Sequence, residues 1–519
     1  MKKLLIILLS LSLYSVSFGV YLENVPHKLV QPNGEILNVF ITGDEFFRRV
    51  HDSDGYSIIP GENGWYYYAV YDEINDELIP SEYVVSFVNK VELPMAKELG
   101  ISLEKYMEKR RIFYEGTESN ISGASLTSFE PSDSRSTINM ANIIICIGFS
   151  DTGSMTYNHS QVDAMFSGPQ NSVKDYFSVM SYGQLNIDSY YHPSPNGNIL
   201  RFYKDSNPRS YYQNVPEAQQ ATREHTLLRD AINWVNANYP IPTSINLDVN
   251  NDGRCDYITF IIQGPVDGWS DLLWPHKWSL YTYTVNINGK RVYDYNFELD
   301  GTSSYFNVGT FCHEGFHVLG SPDLYHYYRQ TSLSAVGVWD VMENTNNSRP
   351  QSMSAYMKLR YGKWIYNNSY THLTFPTATI NQTFEVYPFY SNDGTDPTKP
   401  ILHRIPMTGT TGQYSVVEYR KKTGAYYENA LPGEGLLIYR INTAYSGNAL
   451  FQSNSSGGSV TTAYEEVYLY RPGSSQTSGS GVYTQGNLNQ AAYPANGRTS
   501  FNSTTDPNHA SRTVLPKLH

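Results

Sequence analysis

The chain has 519 residues, and at roughly 100–200 residues per domain that is too long for one ordinary core. Charged residues make up 17% against 40% apolar, which excludes wholesale disorder. A formal charge of −12 argues against a surface that tracks a nucleic-acid duplex, and the 45 tyrosines lean towards an extracellular protein with polar-faced strands.

The chain opens with Lys2 and Lys3, an apolar stretch from Leu4 to Leu13, and then Ser17-Phe18-Gly19 with small residues at its first and third places. That order reads as a secretory signal over residues 1–19, with export of a protein beginning near Val20. The stretch is short for a bilayer, and no later segment supplies about eighteen uninterrupted apolar residues, so no stable membrane span is expected. From Val20 to about Gly116 a small mixed unit is expected. Its strand-like runs, Glu35–Ile41 and Gly64–Tyr71, lie between turn signals at Pro32-Asn33-Gly34 and Asp52-Ser53-Asp54-Gly55. The charged stretch Lys97–Tyr114 reads as a helix. Gly116–Thr137 is polar and aperiodic, a linker in which Arg135 offers a site for proteolytic nicking.

A second unit begins with the apolar run Ala141–Gly148, short enough for a fully buried strand. Ser172–Met180 reads as a helix, and Leu185, Ile187 and Ser189 alternate with polar neighbours as in a strand. Leu228, Ala231, Ile232 and Val235 form the stripe of a helix lying on a sheet, and Asp256–Gln263 is a further buried strand. This alternation indicates an α/β (α+β) unit. Trp274-Pro275-His276-Lys277-Trp278 reads as packing around a hydrogen-bonded histidine. Asp294–Leu299 reads as an edge strand against which an extended peptide docks. Beyond residue 367, Thr383–Tyr387, Gln413–Tyr419, Gly435–Asn442 and Glu465–Tyr470 predict an all-β module. Its last forty or so residues offer little core, so an incomplete final domain is one expectation. Of the 3 cysteines, Cys146, Cys255 and Cys312, the first two read as buried thiols, with a Cys146–Cys255 bridge as the alternative.

The most informative stretch runs from Phe311 to Tyr325. His313 and His317 are one helical turn apart, so both imidazoles aim at a common point and can grip one Zn²⁺. Glu314 is one step around the helix and can reach a metal-polarised water without ligating the metal. Phe316, Val318 and Leu319 embed the helix in a core, and Gly320 falls where a helix needs a positive-φ residue to stop. The turn that follows can return Asp323 as a third ligand; Glu343 and His326 are the alternatives. Separately, Asp248, Asn250, Asp252 and Asp256, with Gly253 between them, begin like an EF-hand loop and are a candidate Ca²⁺ site, without the acidic twelfth residue.

His313-Glu314-Gly315-Phe316-His317-Val318-Leu319-Gly320-Ser321-Pro322-Asp323 resembles the H-E-x-x-H-x-x-G-x-x-D zinc signature of the metzincin-like immune inhibitor A peptidases secreted by bacteria. Gly337-Val338-Trp339-Asp340-Val341-Met342 looks like that family's Met-turn, and Ser354–Lys358 with Tyr361–Trp364 like the helix and turn after it. Pro26–Ala69 resembles the family's propeptide. Val417–Arg420 and Leu431–Ile438 resemble its β-rich C-terminal region. The resemblance implies a signal peptide at 1–19, propeptide and linker at 20–135, a metzincin-like catalytic domain at 136–366, and a β-rich domain at 367–519. It also implies a secreted zinc endopeptidase made as a zymogen, acting on proteins or peptides, with Glu314 as general base and Met342 in a structural role. Tyr325 and Tyr361 are both candidates for an oxyanion donor. Residues 20–135 contain no cysteine, so latency rests on a carboxylate or on occlusion of the cleft. A non-enzymatic surface or carbohydrate-binding protein, or a zinc hydrolase of non-peptide substrates, are the competing classes. No oligomeric state is read from the sequence.

Overall fold

The computed structural model describes residues 18–19, 21–88, 93–102, 104–106, 108–109, 137–213, 215–268, 272–326, 334–345, 349–365, 370–372, 384–388, 390, 399–407, 412–448, 452–453, 460–461, 465–475 and 484–493. Residues 1–17 and almost all of the expected linker lie outside them. No helix among the described residues is long and apolar enough to cross a membrane.

A two-residue strand comes first, β1 (Phe18–Gly19), followed by an antiparallel meander of six: β2 (Leu22–Val30), β3 (Ile36–Gly43), β4 (Arg48–His51), β5 (Ser57–Pro60), β6 (Tyr66–Asp72) and β7 (Glu77–Val84). Val25, Leu29, Val39, Ile41, Val50, Ile58 and Tyr68 are buried on this sheet, where strand alternation places them. The helix expected over Lys97–Tyr114 is not found at its start. Residues 97–102 are non-helical, with Glu98 at φ 56°, and a helical turn appears at 104–106. The Ser102 hydroxyl accepts the Lys105 N–H at 3.1 Å, so the helical turn is capped there and starts after it.

The central sheet uses β8 (Ile138–Gly148), β9 (Leu185–Tyr191), β10 (Tyr203–Lys204), β11 (Tyr257–Gln263), β12 (His276–Ser279) and, after the hairpin β13 (Val285–Ile287) and β14 (Lys290–Val292), β15 (Asp294–Asp300). Its order is β1-β12-β15-β11-β8-β10, with β9 also pairing with β8. The pairs β8–β9, β8–β10, β8–β11 and β11–β15 are parallel, whereas β12 runs antiparallel to both β15 and β1. The helices α1 (His159–Ser167), α2 (Val173–Met180), α3 (Glu217–Asn238) and α4 (Val308–Val318) cover it. Ile143, Ile145, Ile147, Ile258, Phe260 and Ile262 are wholly buried in the two central strands, as expected of a parallel sheet covered on both faces.

Two expectations are corrected here. Asp294–Leu299 is not an edge: β15 lies between β11 and β12, and β12 in turn carries β1. The polar residues Asn296, Glu298 and Asp300 of β15 are buried. The Cys146–Cys255 bridge does not form, and all 3 cysteines are free. Register pairs Cys146 with Ile261, six residues beyond Cys255, which is about 20 Å along a strand.

The third sheet has the order β16 (Tyr370–His372), β17 (Leu402–Pro406), β18 (Gln413–Arg420), β19 (Gly435–Asn442), β20 (Val467–Leu469). The described part of the expected strand Thr383–Tyr387 is not a strand; only Pro388 beyond it bridges to Tyr419. This sheet is joined to the central unit by buried polar contacts. Arg420 donates to Glu428 Oε1 and Oε2 at 2.7 and 2.6 Å and to the Trp339 carbonyl at 3.0 Å, and Ala355 N donates to Glu418 Oε2 at 2.6 Å.

Candidate metal centre

Helix α4 starts because Asn307 takes extended backbone and its side chain accepts the Thr310 N–H at 3.1 Å, satisfying a donor the helix leaves open. Every residue of the helix is buried. Gly315 lets it settle close to the sheet: a Cβ there would lie 2.8 Å from the Tyr257 hydroxyl and 3.0 Å from the Phe177 ring. The helix ends at Leu319, and Gly320 follows at φ +88°, its N–H on the His317 carbonyl at 2.9 Å.

The turn beyond Gly320 brings Asp323 back over the helix. Asp323 Oδ1 lies 3.0 Å from His313 Nε2 and 3.4 Å from His317 Nε2, and the two Nε2 atoms are 3.0 Å apart. Among the described residues this trio is the group of His, Cys, Asp or Glu whose ligand atoms converge, all within 4.8 Å. A tetrahedral zinc with bonds of about 2.0–2.1 Å spaces neighbouring ligand atoms about 3.3 Å apart, so the triangle has the right size.

Electrostatics point the same way. His313 Nδ1 donates to the Val341 carbonyl at 2.8 Å and His317 Nδ1 to the Ser321 carbonyl at 2.7 Å, because a carbonyl can only accept. Burial pushes His317 down to about 4, so its ring is neutral near pH 7. With its proton on Nδ1, Nε2 turns a lone pair towards both His313 and the Asp323 carboxylate. Burial alone would raise Asp323, but the two imidazoles beside it outweigh that and leave its carboxyl below the usual carboxylate range. A cation at the centre of the triangle suits all three groups at once, and the donor set fits zinc.

Glu314 is fully buried, next to His313 on the helix. The segment expected as a Met-turn lies alongside: Val341 supplies the carbonyl for His313, and the Met342 carbonyl accepts the Leu324 N–H at 2.8 Å. Met342 itself is wholly buried. The two rival ligands are placed elsewhere. Glu343 Oε2 accepts the N–H groups of Val336 and Gly337 at 2.5 and 2.7 Å, and His326 Nε2 meets Glu465 Oε1 at 2.9 Å. Of the two tyrosines, Tyr361 donates to Glu466 Oε2 at 2.6 Å, while the Tyr325 ring stacks near His313, centroids 6.4 Å apart. His276 is a hydrogen-bonded packing residue, with Nε2 3.1 Å from Glu224 and Nδ1 2.8 Å from the Trp274 carbonyl.

Sequence reasoning missed Glu298 and Tyr257. Glu298 is buried on β15, neither of its carboxylate oxygens has a hydrogen-bond partner among the described residues, and burial pushes its carboxyl well above the usual range. Tyr257 lies between the strand and the helix, its hydroxyl 3.3 Å from Asn296 Nδ2 and 2.8 Å from where a Cβ on Gly315 would stand, and burial raises it well above the ordinary phenol range. The available signal was the alternation of polar residues on β15.

In the candidate calcium loop, Asp248 accepts the N–H groups of Asp252 and Gly253 at 2.9 and 3.0 Å, and Lys290 Nζ lies 2.7 Å from its Oδ2. Asn250 Oδ1 accepts the Asp252 N–H at 3.0 Å, and Asp256 Oδ2 accepts the Val249 N–H at 2.7 Å.

No model of a known protein family matches the chain, and no curated protein matches it. Among solved structures, the crystal structure of wild-type OgpA from Akkermansia muciniphila matches at 11% identity over 59% of this chain and 75% of that one, with a TM-score of 0.24.

Proposed function

We propose that this chain is a secreted zinc endopeptidase that cleaves extracellular proteins or peptides, with His313, His317 and Asp323 holding the metal. The observation that carries the reading is the convergence of two imidazole Nε2 atoms and one carboxylate oxygen, 3.0–3.4 Å apart, on a buried helix. When bound, zinc supplies a Lewis acid that acidifies a water and polarises a carbonyl. Glu314, buried next to His313, would act as the general base, taking a proton from the attacking water and returning it to the departing amine. The Val341 and Ser321 carbonyls fix the imidazole tautomers, which keeps both Nε2 atoms aimed inward. The immune inhibitor A-like motifs support a metzincin-like fold. Residues 1–19 are read as a signal peptide and 20–135 as a propeptide whose sheet occludes the cleft. Zinc analysis of the purified protein, together with casein cleavage with and without chelator, tests the proposal. A protein that binds no zinc, or cleavage indifferent to chelator, overturns it.

A further inference from the structure

We infer that Asn448, from the third sheet, is a positioning residue for Asp323, so that the metal centre is completed by the C-terminal unit. This rests on the zinc-site reading above. Asp323 follows a glycine-terminated helix, and the segment Pro322–His326 has no regular structure of its own to hold it. Besides the Met342 carbonyl, which takes the Leu324 N–H at 2.8 Å, what holds it arrives from residues 444–448, after β19. The Asn448 N–H donates to the Asp323 carbonyl at 3.0 Å. The Asn448 side chain is wholly buried; Nδ2 donates to the Leu324 and Val467 carbonyls, both at 2.8 Å, and Oδ1 accepts the Val467 N–H at 3.0 Å. One amide thus ties the ligand segment to β20.

Two neighbours reinforce the contact. Gly447, at φ +72°, approaches so closely that a Cβ would lie 2.5 Å from the Asp323 carbonyl and 2.8 Å from the Pro322 Cβ, and its N–H is held by Glu466 Oε2 at 2.5 Å. His326, at the far end of the segment, meets Glu465 Oε1 at 2.9 Å, and Arg440 on β19 holds the other Glu465 oxygen at 2.9 Å. The ligand segment is therefore clamped at Asp323, Leu324 and His326 by Asn448 and Glu465, in the loop between β19 and β20. Groups that orient a metal ligand without touching the metal typically change affinity by about 10–100-fold.

The test is equilibrium zinc binding by chelator competition on the full chain, for wild type, Asn448→Ala, Asp323→Ala and the double variant, with far-UV circular dichroism as the check on folding. Asn448→Ala is expected to weaken zinc about 10–100-fold in the wild-type background and to add no further loss in the Asp323→Ala background, because its effect passes through that ligand. Unchanged affinity, or equal losses in both backgrounds, overturns the inference while leaving the zinc site standing. Wild-type protein without zinc overturns both. If Asn448→Ala does not fold, Gly447→Ala, which pushes directly on the Asp323 carbonyl, is read in the same cycle by the same criteria.

Discussion

The Tyr21 ring lies 5.8 Å from that of Tyr325, whose own ring stacks near His313 at 6.4 Å. The N-terminal unit thus reaches the metal centre through one intervening side chain. Just before Tyr21, β1, the end of the segment read as a signal peptide, pairs with β12 of the central sheet. The unit is seated by Arg48 over the Trp274 ring at 5.3 Å and by Val50 and Ile41 against Gly268, where a Cβ would lie 2.3 Å from Val50 Cγ2.

Gly268→Val should therefore push the N-terminal sheet away without touching the ligands. The expected result is a rise of about 5–20-fold in peptide hydrolysis by the untrimmed chain, within the ordinary range of coupling between two sites. Protein trimmed near Arg135 should show no such rise. Fluorogenic peptide turnover before and after limited proteolysis measures both. Equal rates for untrimmed, trimmed and substituted protein would remove occlusion as the cause of latency.

Glu314→Gln should retain zinc at wild-type stoichiometry and lose about 10²–10⁴ in kcat, because an amide cannot accept the proton. Metal content and turnover are measured on one preparation. Near-normal turnover with zinc bound assigns the base elsewhere.

Asp323→Ala and Glu343→Ala separate two carboxylates that the sequence offered for one role. The first should weaken zinc by at least about 100-fold, more than an orienting neighbour does. The second should keep zinc but lower stability, since it strands the buried N–H groups of Val336 and Gly337 at about 1–3 kcal/mol each. Chelator competition and thermal melting read the two effects independently. Zinc retained by the first and lost by the second reverses the assignment.

What was legible in the sequence follows from which interactions are local. The i, i+4 spacing of His313 and His317 and the helix stop at Gly320 are set within one turn of backbone, and the apolar runs of β8 and β11 announce burial on both faces. The place of β15 in the sheet was not legible. Its alternating Asp294, Asn296, Glu298 and Asp300 look like a solvated face, yet Asn296, Glu298 and Asp300 are buried. Tyr257 and Thr156 meet two of them, at Asn296 and Asp300. Asn448 was equally silent, because a single asparagine more than a hundred residues from Asp323 carries no periodic or spacing signal. The helix expected from Lys97 was misread because charge composition alone, without an apolar stripe, says little about where a helix begins.

The last prediction concerns the loop of Asp248, Asn250, Asp252 and Asp256. Burial, and then the charges of Asp248 and Asp252 against the Val249 N–H and Lys290, push Asp256 up to about 7 from an unfolded value of 3.8. A raised folded value means that the folded state holds its proton longer. Stability from this group is complete below about pH 4 and is lost as pH rises through about 7. In calcium-free buffer, Asp256→Asn should therefore match wild type near pH 4 and melt about 2–4 °C higher at pH 8. Calcium at about 5 mM should raise the wild-type melting temperature at pH 8 by neutralising the crowded carboxylates, and should do little for Asp256→Asn. If calcium leaves the wild type unchanged, Lys290 is the counter-ion of Asp248 and the loop is a self-bonded turn rather than a cation site.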